Sequence, residues 1–186
     1  MTPRDTGDRP DLSGSGAGPA LTRLYDAHAR ELHRYLARRL DTATADDLVA
    51  ETFLIAWERR ADYRPARAGV RAWLYGIATN LARRHARDEV RGLRAMTRSG
   101  SQAEQGDPLD TAAAARVDAA AQATRLGAAL ADLRPVDRDV LLLVAWAGLT
   151  PKEVADALTV NQATVRTRLH RARTALRGHL TKENPA

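Results

Sequence analysis

Helical periodicity is the feature of this sequence that most restricts its fold. Apolar residues recur three and four positions apart from Leu21 to about Arg94, and again from Leu126 to about Leu180. This spacing gives an α-helix one apolar face. Valine, isoleucine and threonine, which favour strands, never form a long alternating run. We therefore predict an all-α fold without a sheet.

Composition separates the two periodic stretches into domains. Residues 1–20 are rich in Gly, Pro, Ser and Asp, and residues 97–125 contain few large apolar side chains. Such segments bury too little apolar surface to fold alone. We predict a disordered tail over 1–20, a helical domain over 21–96, a flexible linker over 97–125, a second helical domain over 126–180 and a tail over 181–186. The sequence does not indicate how the domains are arranged in the free protein.

Composition also excludes several classes of function. The chain has no cysteine, which excludes disulfides, cysteine-ligated zinc and thiol nucleophiles and fits a reducing compartment. The longest apolar run, 140–147, is far too short to cross a bilayer, and residues 1–20 lack the apolar segment of a signal peptide. We predict a cytoplasmic protein without membrane insertion.

The histidines do not indicate an active site. None of them has the spacing of a metal-ligand motif, and the chain contains neither a glycine-rich phosphate loop nor a nucleophile elbow. We therefore expect no catalysis, no metal and no cofactor.

Charge is sorted by sign along the chain, whose net charge is +6. Residues 41–58 hold five acids and no base, and residues 59–98 hold eleven arginines and three acids. Residues 161–180 hold five arginines and no acid. A codon bias that favours arginine raises the total without sorting the signs. Basic surfaces on two domains predict a polyanionic partner that is touched at two places.

A helix-turn-helix pattern lies in the second domain. Thr150 and Glu153 have capping-box spacing with Pro151 at the first helical position, and Asn161 can cap the following helix. The apolar stripe of that second helix leaves a set of side chains suited to base edges and phosphates on the outside: Gln162, Arg166, Thr167, Arg168 and Arg171. The alternative is a solvated arginine face, although such faces usually interleave glutamates.

The first domain contains a second basic helix, predicted over about 70–91. A helical wheel places Trp73, Asn80, Arg83, Arg84 and Arg87 in one sector opposite the apolar stripe. Arginines can hold phosphates while a flat ring beside them receives an unstacked base. In the alternative, Trp73 packs inward against the first helix.

An acidic helix precedes it, predicted to begin near Thr44 with Asp46 and Asp47 in its first turn and Trp57 facing the core. Its exposed face carries Asp46, Asp47 and Glu51. This face is either simply solvated or a docking surface for a basic protein.

Two stretches of the sequence together resemble the extracytoplasmic-function (ECF) group of bacterial RNA polymerase sigma factors. The first, DDLVAETFLIAW followed by YRPARAGVRAWLYGIATNLARRHARDEVR, resembles their second conserved region. The second, LRPVDRDVLLLVAWAGLTPKEVADALTVNQATVRTRLHRARTAL, resembles their fourth region, with the linker in place of the third.

The resemblance implies three partners: core RNA polymerase, promoter DNA and an anti-sigma factor, with a monomer when free. Asp46, Asp47 and Glu51 would dock on the polymerase clamp helices. The minus-ten element would be melted and read by Arg64, Arg67, Arg71, Trp73, Asn80, Arg83, Arg84 and Arg87. The minus-thirty-five element would be read by Gln162, Thr164, Arg166, Thr167, Arg168 and Arg171. The alternative function is a helix-turn-helix regulator that binds an operator as a dimer, which leaves the first domain's arginines without a role.

Four residues depart from the pattern of the group. Ala50 stands where a glutamine is common, Gly76 where an arginine is frequent, and Val70 where an aromatic residue is usual. Thr159 occupies a turn position where glycine is common, so we expect an unusual backbone conformation there.

Overall fold

The structure is a computed structural model that describes residues 9–12, 14, 16–101, 122 and 124–182. Most of the predicted linker and the outer parts of both predicted tails lie outside these residues. The described helices are α1 (Ala17–Arg39), α2 (Thr42–Glu58), a short 3₁₀ helix (Arg60–Asp62), α3 (Val70–Arg84), α4 (Ala86–Ser101), α5 (124–132), α6 (Pro135–Ala145), α7 (Pro151–Leu158) and α8 (Gln162–Lys182). No strand occurs among the described residues, and the predicted all-α fold is confirmed.

Helix α1 begins earlier than the predicted domain boundary at residue 21. Residues 17–20 are helical, and Leu12, Ala17 and Ala20 are buried. The disordered tail predicted over 1–20 is therefore wrong for its last residues. Small apolar residues among glycines and prolines look like tail by composition, yet here they pack into the hydrophobic core.

Helix α2 also begins earlier than predicted, because Asp41 caps it. The Asp41 carboxylate accepts a hydrogen bond from the Thr44 backbone N–H at 2.9 Å, and the helix starts at Thr42. Asp46 and Asp47 consequently lie beyond the first turn, so the predicted interaction of these two carboxylates with the helix N-terminus is wrong.

The helix-turn-helix has the predicted local geometry. Thr150 and Glu153 form the capping box, and the Asn161 side chain accepts from the Thr164 backbone N–H at 2.7 Å. Thr159, between α7 and α8, has the left-handed conformation expected there, with φ 53 and ψ 46. This turn orients α8 against the core through buried Val165.

The two domains pack against each other through α3 and α7 and share one hydrophobic core. Helix α3 is buried beyond its predicted apolar stripe, because Tyr75, Gly76 and Thr79 are also buried. A Cβ built on Gly76 would lie 2.4 Å from the carbonyl oxygen of Ala157 in α7. The backbones of α3 and α7 are thus in direct contact at this glycine.

Buried charges cross the boundary between the domains. Arg39 of α1 donates through Nε to Glu89 of α4 at 2.8 Å and through Nη2 to Asp139 of α6 at 2.7 Å. Arg138 of α6 donates to Glu89 at 3.3 Å. These four side chains are no more than 2% exposed. Burial opposes the charge on Arg39, but Tyr35 and the two carboxylates outweigh it and raise the Arg39 pKa.

Candidate nucleic-acid interface

Helix α8 carries the recognition residues proposed for the minus-thirty-five element. The periodicity predicts a buried stripe of four residues on α8. Val165, Leu169 and Ala172 are buried, and the fourth, Leu176, is half-buried. The remaining faces expose some of the candidate residues and half-bury others. Exposed are Gln162, Arg166, Thr167 and Arg171, and half-buried are Thr164 and Arg168.

Contacts within α8 hold two of these side chains along the helix. The Arg166 guanidinium donates to the Gln162 side-chain oxygen at 3.4 Å. The Thr167 hydroxyl donates to the Ala163 carbonyl oxygen at 3.0 Å. Both contacts are exposed and one turn long, so a base edge could replace either at small cost.

The basic face of the first domain begins on α3. Asn80, Arg83 and Arg84 are exposed. Arg83 donates to the Asn80 side-chain oxygen at 3.0 Å and to Asp139 of the second domain at 2.7 Å. Arg84 donates to Glu51 of α2 at 3.1 Å. Two candidate DNA contacts are therefore engaged by carboxylates of the protein itself.

Arg87 belongs to a different helix from Arg84. The helix predicted over about 70–91 is interrupted at His85, which has φ −95 and ψ 24 and whose N–H bonds to the Ala82 carbonyl at 3.0 Å. Helix α4 restarts with Asp88 and Glu89 in its first turn, where carboxylates are favoured. Arg87 is exposed, but the wheel that grouped it with the α3 residues does not hold across this break.

Trp73 adopts neither of its two predicted positions. It is half-buried, and its ring packs on that of Tyr63 with centroids 4.9 Å apart. Tyr63 is buried in the loop before α3, where its hydroxyl donates to the Ala68 carbonyl at 3.2 Å. Sequence reasoning missed Tyr63, although it is an aromatic residue in an otherwise polar loop.

The three loop-side arginines point to different surroundings. Arg64 and Arg67 are exposed, and Arg64 donates to the Tyr63 carbonyl at 3.4 Å. Arg71 is half-buried, lies 3.4 Å from Glu31 of α1, and donates to the Ala147 carbonyl of the second domain. Arg71 therefore faces the boundary between the domains in this arrangement.

The acidic face of α2 has an apolar component. Asp46 and Asp47 are exposed and Glu51 is half-buried. Beside them, Leu54 is 56% exposed and Trp57 is 37% exposed. The predicted inward position of Trp57 is wrong, because the buried stripe of α2 ends at Ala56 and the indole lies at its edge.

Two other kinds of site are absent from the described residues. No helix in this part of the chain has the length and apolarity needed to cross a membrane. Nor does the same part contain three or more His, Cys, Asp or Glu side chains placed to hold a metal ion.

Comparison with known proteins yields matches along both domains. Sigma-70 region 2 matches residues 24–92, and Sigma-70, region 4 matches residues 123–176. The ECF RNA polymerase sigma factor SigL of Mycobacterium tuberculosis is 34% identical over 169 residues, covering 89% of this chain and 93% of the relative.

Solved structures resemble the fold over most of its length. The structure of CnrH with the cytosolic domain of CnrY aligns with a TM-score of 0.61 at 25% identity, covering 91% of this chain and 93% of that one. RpoE of Bartonella quintana, solved with the anti-sigma factor NepR, aligns with a TM-score of 0.56 at 19% identity, covering 88% and 98%.

An operator-binding regulator is not favoured, because the matches extend over both domains and not over the helix-turn-helix alone. The two sigma-70 regions in this order, together with a relative that aligns along almost all of its length, show that the chain belongs to the ECF group of RNA polymerase sigma factors, which bind core polymerase and direct initiation at specific promoters.

Proposed function

We propose a specific division of labour for this sigma factor, in which α2 joins core polymerase, the loop before α3 and the helices α3 and α4 read the minus-ten element, and α8 reads the minus-thirty-five element. The observation that carries the proposal is the separation of charge on exposed helix faces. Residues 161–180 expose arginines with no acid among them, whereas the outer face of α2 is acidic.

The minus-thirty-five contacts are proposed for Gln162, Thr164, Arg166, Thr167, Arg168 and Arg171. An arginine fork fits a guanine edge, a glutamine amide fits adenine, and threonine can bind either a base or a phosphate. Arg166 and Gln162 are exposed on the first turns of α8, the part of a recognition helix that enters the major groove.

The minus-ten contacts are proposed for Arg64, Arg67, Arg71, Trp73, Asn80, Arg83, Arg84 and Arg87. Exposed guanidiniums on the loop and on α3 and α4 can bind the phosphates of a melted strand. Tyr63 supports the Trp73 ring from behind, so a half-exposed indole is held rigidly beside these arginines. A rigid ring is a suitable platform for an extruded base.

The polymerase contacts are proposed for Asp46, Asp47 and Glu51, joined by Leu54 and Trp57. An apolar centre with a charged rim is the usual anatomy of a protein interface. The acidic rim selects a basic partner surface, and the exposed leucine and indole supply the apolar area that exposed charges alone do not.

The proposed activity involves no catalysis by this chain, since the reaction belongs to the polymerase. The chain is proposed to act as a monomer in the cytoplasm, where polymerase and promoter meet. An anti-sigma factor is a further proposed partner. In its support, CnrH and the Bartonella quintana RpoE were each solved with a second protein, named as an anti-sigma factor in the RpoE complex.

Run-off transcription tests the proposal. Purified protein and core polymerase are incubated with a library of genomic fragments, and the 5′ ends of the transcripts are sequenced. We expect discrete starts that depend on both proteins and share two upstream sequence elements. The absence of any discrete start across the library would refute the proposal. A stable dimer that binds one fragment tightly without polymerase would favour the operator-binding alternative.

A further inference from the structure

We propose that Gly76 sets the balance between the packed arrangement, here termed the closed form, and an open form in which the domains separate and which alone can read a promoter. This inference rests on the proposed function, because it takes α3 and α8 as readers of the two promoter elements.

The contact at Gly76 leaves no room for a side chain. A Cβ at this position would lie 2.4 Å from the oxygen, 3.2 Å from the carbonyl carbon and 3.3 Å from the Cα of Ala157. All three atoms are backbone, so they cannot rotate away as a flexible side chain does. A larger residue at position 76 therefore requires α7 to move away from α3.

Buried or partly buried ionic contacts cross the same boundary. Asp139 accepts from Arg39 and from Arg83, each at 2.7 Å, and Arg138 donates to Glu89. When the domains separate, Arg39 keeps its partner Glu89, because both belong to the first domain. Opening thus exposes these charges to water, and Arg39 still has a carboxylate partner in Glu89.

The buried ion pairs favour one particular arrangement of the two domains but add little to its net stability. Removing paired charges from water costs about as much as their attraction returns, so such networks add little net stability. A contact of this kind can open when a competing partner binds.

In the closed form, two of the arginines proposed to contact DNA are bonded to residues of the second domain. Arg83 is paired with Asp139, and Arg71 donates to the Ala147 carbonyl. Both partners belong to the second domain. Neither arginine can bind a phosphate fully until that domain moves away.

Size gives an independent reason why the closed form cannot read a promoter. Elements centred about 25 base pairs apart lie roughly 85 Å apart on a straight duplex, at about 3.4 Å per base pair. A compact body of about 150 residues, as many as the structure describes, has a radius of gyration of about 15 Å, and hence a diameter of about 40 Å. The closed form cannot touch both elements at once.

Energy transfer within the free, full-length protein tests the inference. The chain has no cysteine, so Ala27→Cys in α1 and Ala175→Cys in α8, both at exposed positions, accept a donor and acceptor dye. We expect efficient transfer in wild type. Gly76→Ala should raise the ratio of open to closed molecules about tenfold or more, because atoms inserted into a packed contact are poorly tolerated. Asp139→Asn, which weakens the crossing pairs, should shift the ratio in the same direction.

Gly18→Ala is the matched control, because Gly18 is also helical but has nothing within 4 Å of its built Cβ. It should leave transfer unchanged, and circular dichroism should show that all variants remain helical. Weak transfer in wild type, or unchanged transfer in both Gly76→Ala and Asp139→Asn, would overturn the inference.

Binding to a random-sequence duplex tests whether closure hides DNA contacts. Gly76→Ala should bind more tightly than wild type, with a salt dependence steeper by about two phosphate contacts, since Arg71 and Arg83 are released. If transfer falls but affinity and salt dependence do not change, the inference fails while the proposed function stands. A lack of discrete transcripts would instead defeat the proposed function, whatever the transfer shows.

Discussion

Asp41 stabilises the start of α2 through its charged carboxylate. The backbone N–H of Thr44 and then the Thr44 hydroxyl donate to this carboxylate and lower the pKa of Asp41, because they bind the charged form better than the neutral one. A pKa that is lower in the folded state contributes stability above the unfolded value. That stability is lost as the pH falls through the folded value.

We therefore expect the effect of Asp41→Ala to depend on pH. The variant should be less stable than wild type at neutral pH, and the difference should shrink below about pH 4, near the unfolded pKa of an aspartate. Urea unfolding followed by circular dichroism across a pH series measures this. Asp41→Asn keeps an uncharged acceptor oxygen at every pH, so it should lack this acid-dependent loss. A difference between wild type and Asp41→Ala that is constant with pH would contradict the assignment.

Residues whose roles depend on nearby backbone could be predicted from the sequence. Asn161 as a helix cap and the left-handed Thr159 are examples, because each is decided within one turn of chain. The positions of Trp57 and Tyr63 could not be predicted, because the burial of each ring depends on which residues of other segments cover it. Hydrophobicity alone placed Trp57 inside, and loop composition left Tyr63 unnoticed.

At the scale of elements, α8 combines a buried stripe with an arginine-bearing outer surface. Its first turns follow directly from the Thr159 turn and the Asn161 cap, so the exposed side chains there have fixed positions relative to the domain. The proposed reading of bases depends on this fixed geometry.

Arg166→Ala tests that reading. We expect holoenzyme to bind its promoter about 10- to 100-fold more weakly and to lose base preference at one position of the minus-thirty-five element, the cost of one arginine–guanine contact. Selection from a template library randomised in that element, followed by sequencing, measures both effects. Arg173→Ala removes an exposed arginine farther along α8 and should leave base preference intact. Equal relaxation in both variants would show that Arg166 does not read a base.

Leu54→Ala tests the apolar part of the polymerase surface on α2. We expect affinity for core polymerase to fall about fivefold or more, as for a buried interface residue worth at least about 1 kcal/mol. Leu126→Ala is the matched control, because Leu126 is a similarly exposed leucine in the second domain. Fluorescence anisotropy of labelled protein titrated with core enzyme gives both affinities. Comparable losses in the two variants would argue against a specific contact at Leu54.

The existence of the helices could be predicted, but one break between them could not. Apolar spacing continues from α3 into α4 and so suggested a single helix through His85. The break changes the direction of the chain so that Glu89 of α4 contacts Arg39, a residue 50 positions away in the sequence. Periodicity describes the neighbours of a residue along one helix, and therefore contains no information about such a partner.

At the scale of the whole molecule, the two domains are joined by a core and by buried charges. Arg39, Arg138 and Asp139 are charged residues, which a sequence pattern places on the surface. Their burial requires partners supplied by the other domain or by α4. The packing of α7 on α3 likewise could not be predicted from the sequence. An apolar or small-residue face on one helix does not identify the helix that packs against it.

Arg39→Ala should destabilise the protein by about 3–5 kcal/mol, because Glu89 and Asp139 lose their shared buried partner. Arg84→Ala removes an arginine from the exposed pair with Glu51 and should cost no more than about 1 kcal/mol. Urea unfolding at neutral pH compares the two. Similar small losses would mean that the Arg39 network does not contribute to holding the structure together.

The absence of a side chain at position 76 also has a genetic consequence. Every glycine codon is a single base change from an alanine codon and from an arginine codon, so mutants that separate the domains arise easily. Selection for strains that transcribe the target genes without an inducing signal should therefore recover dominant alleles at codon 76.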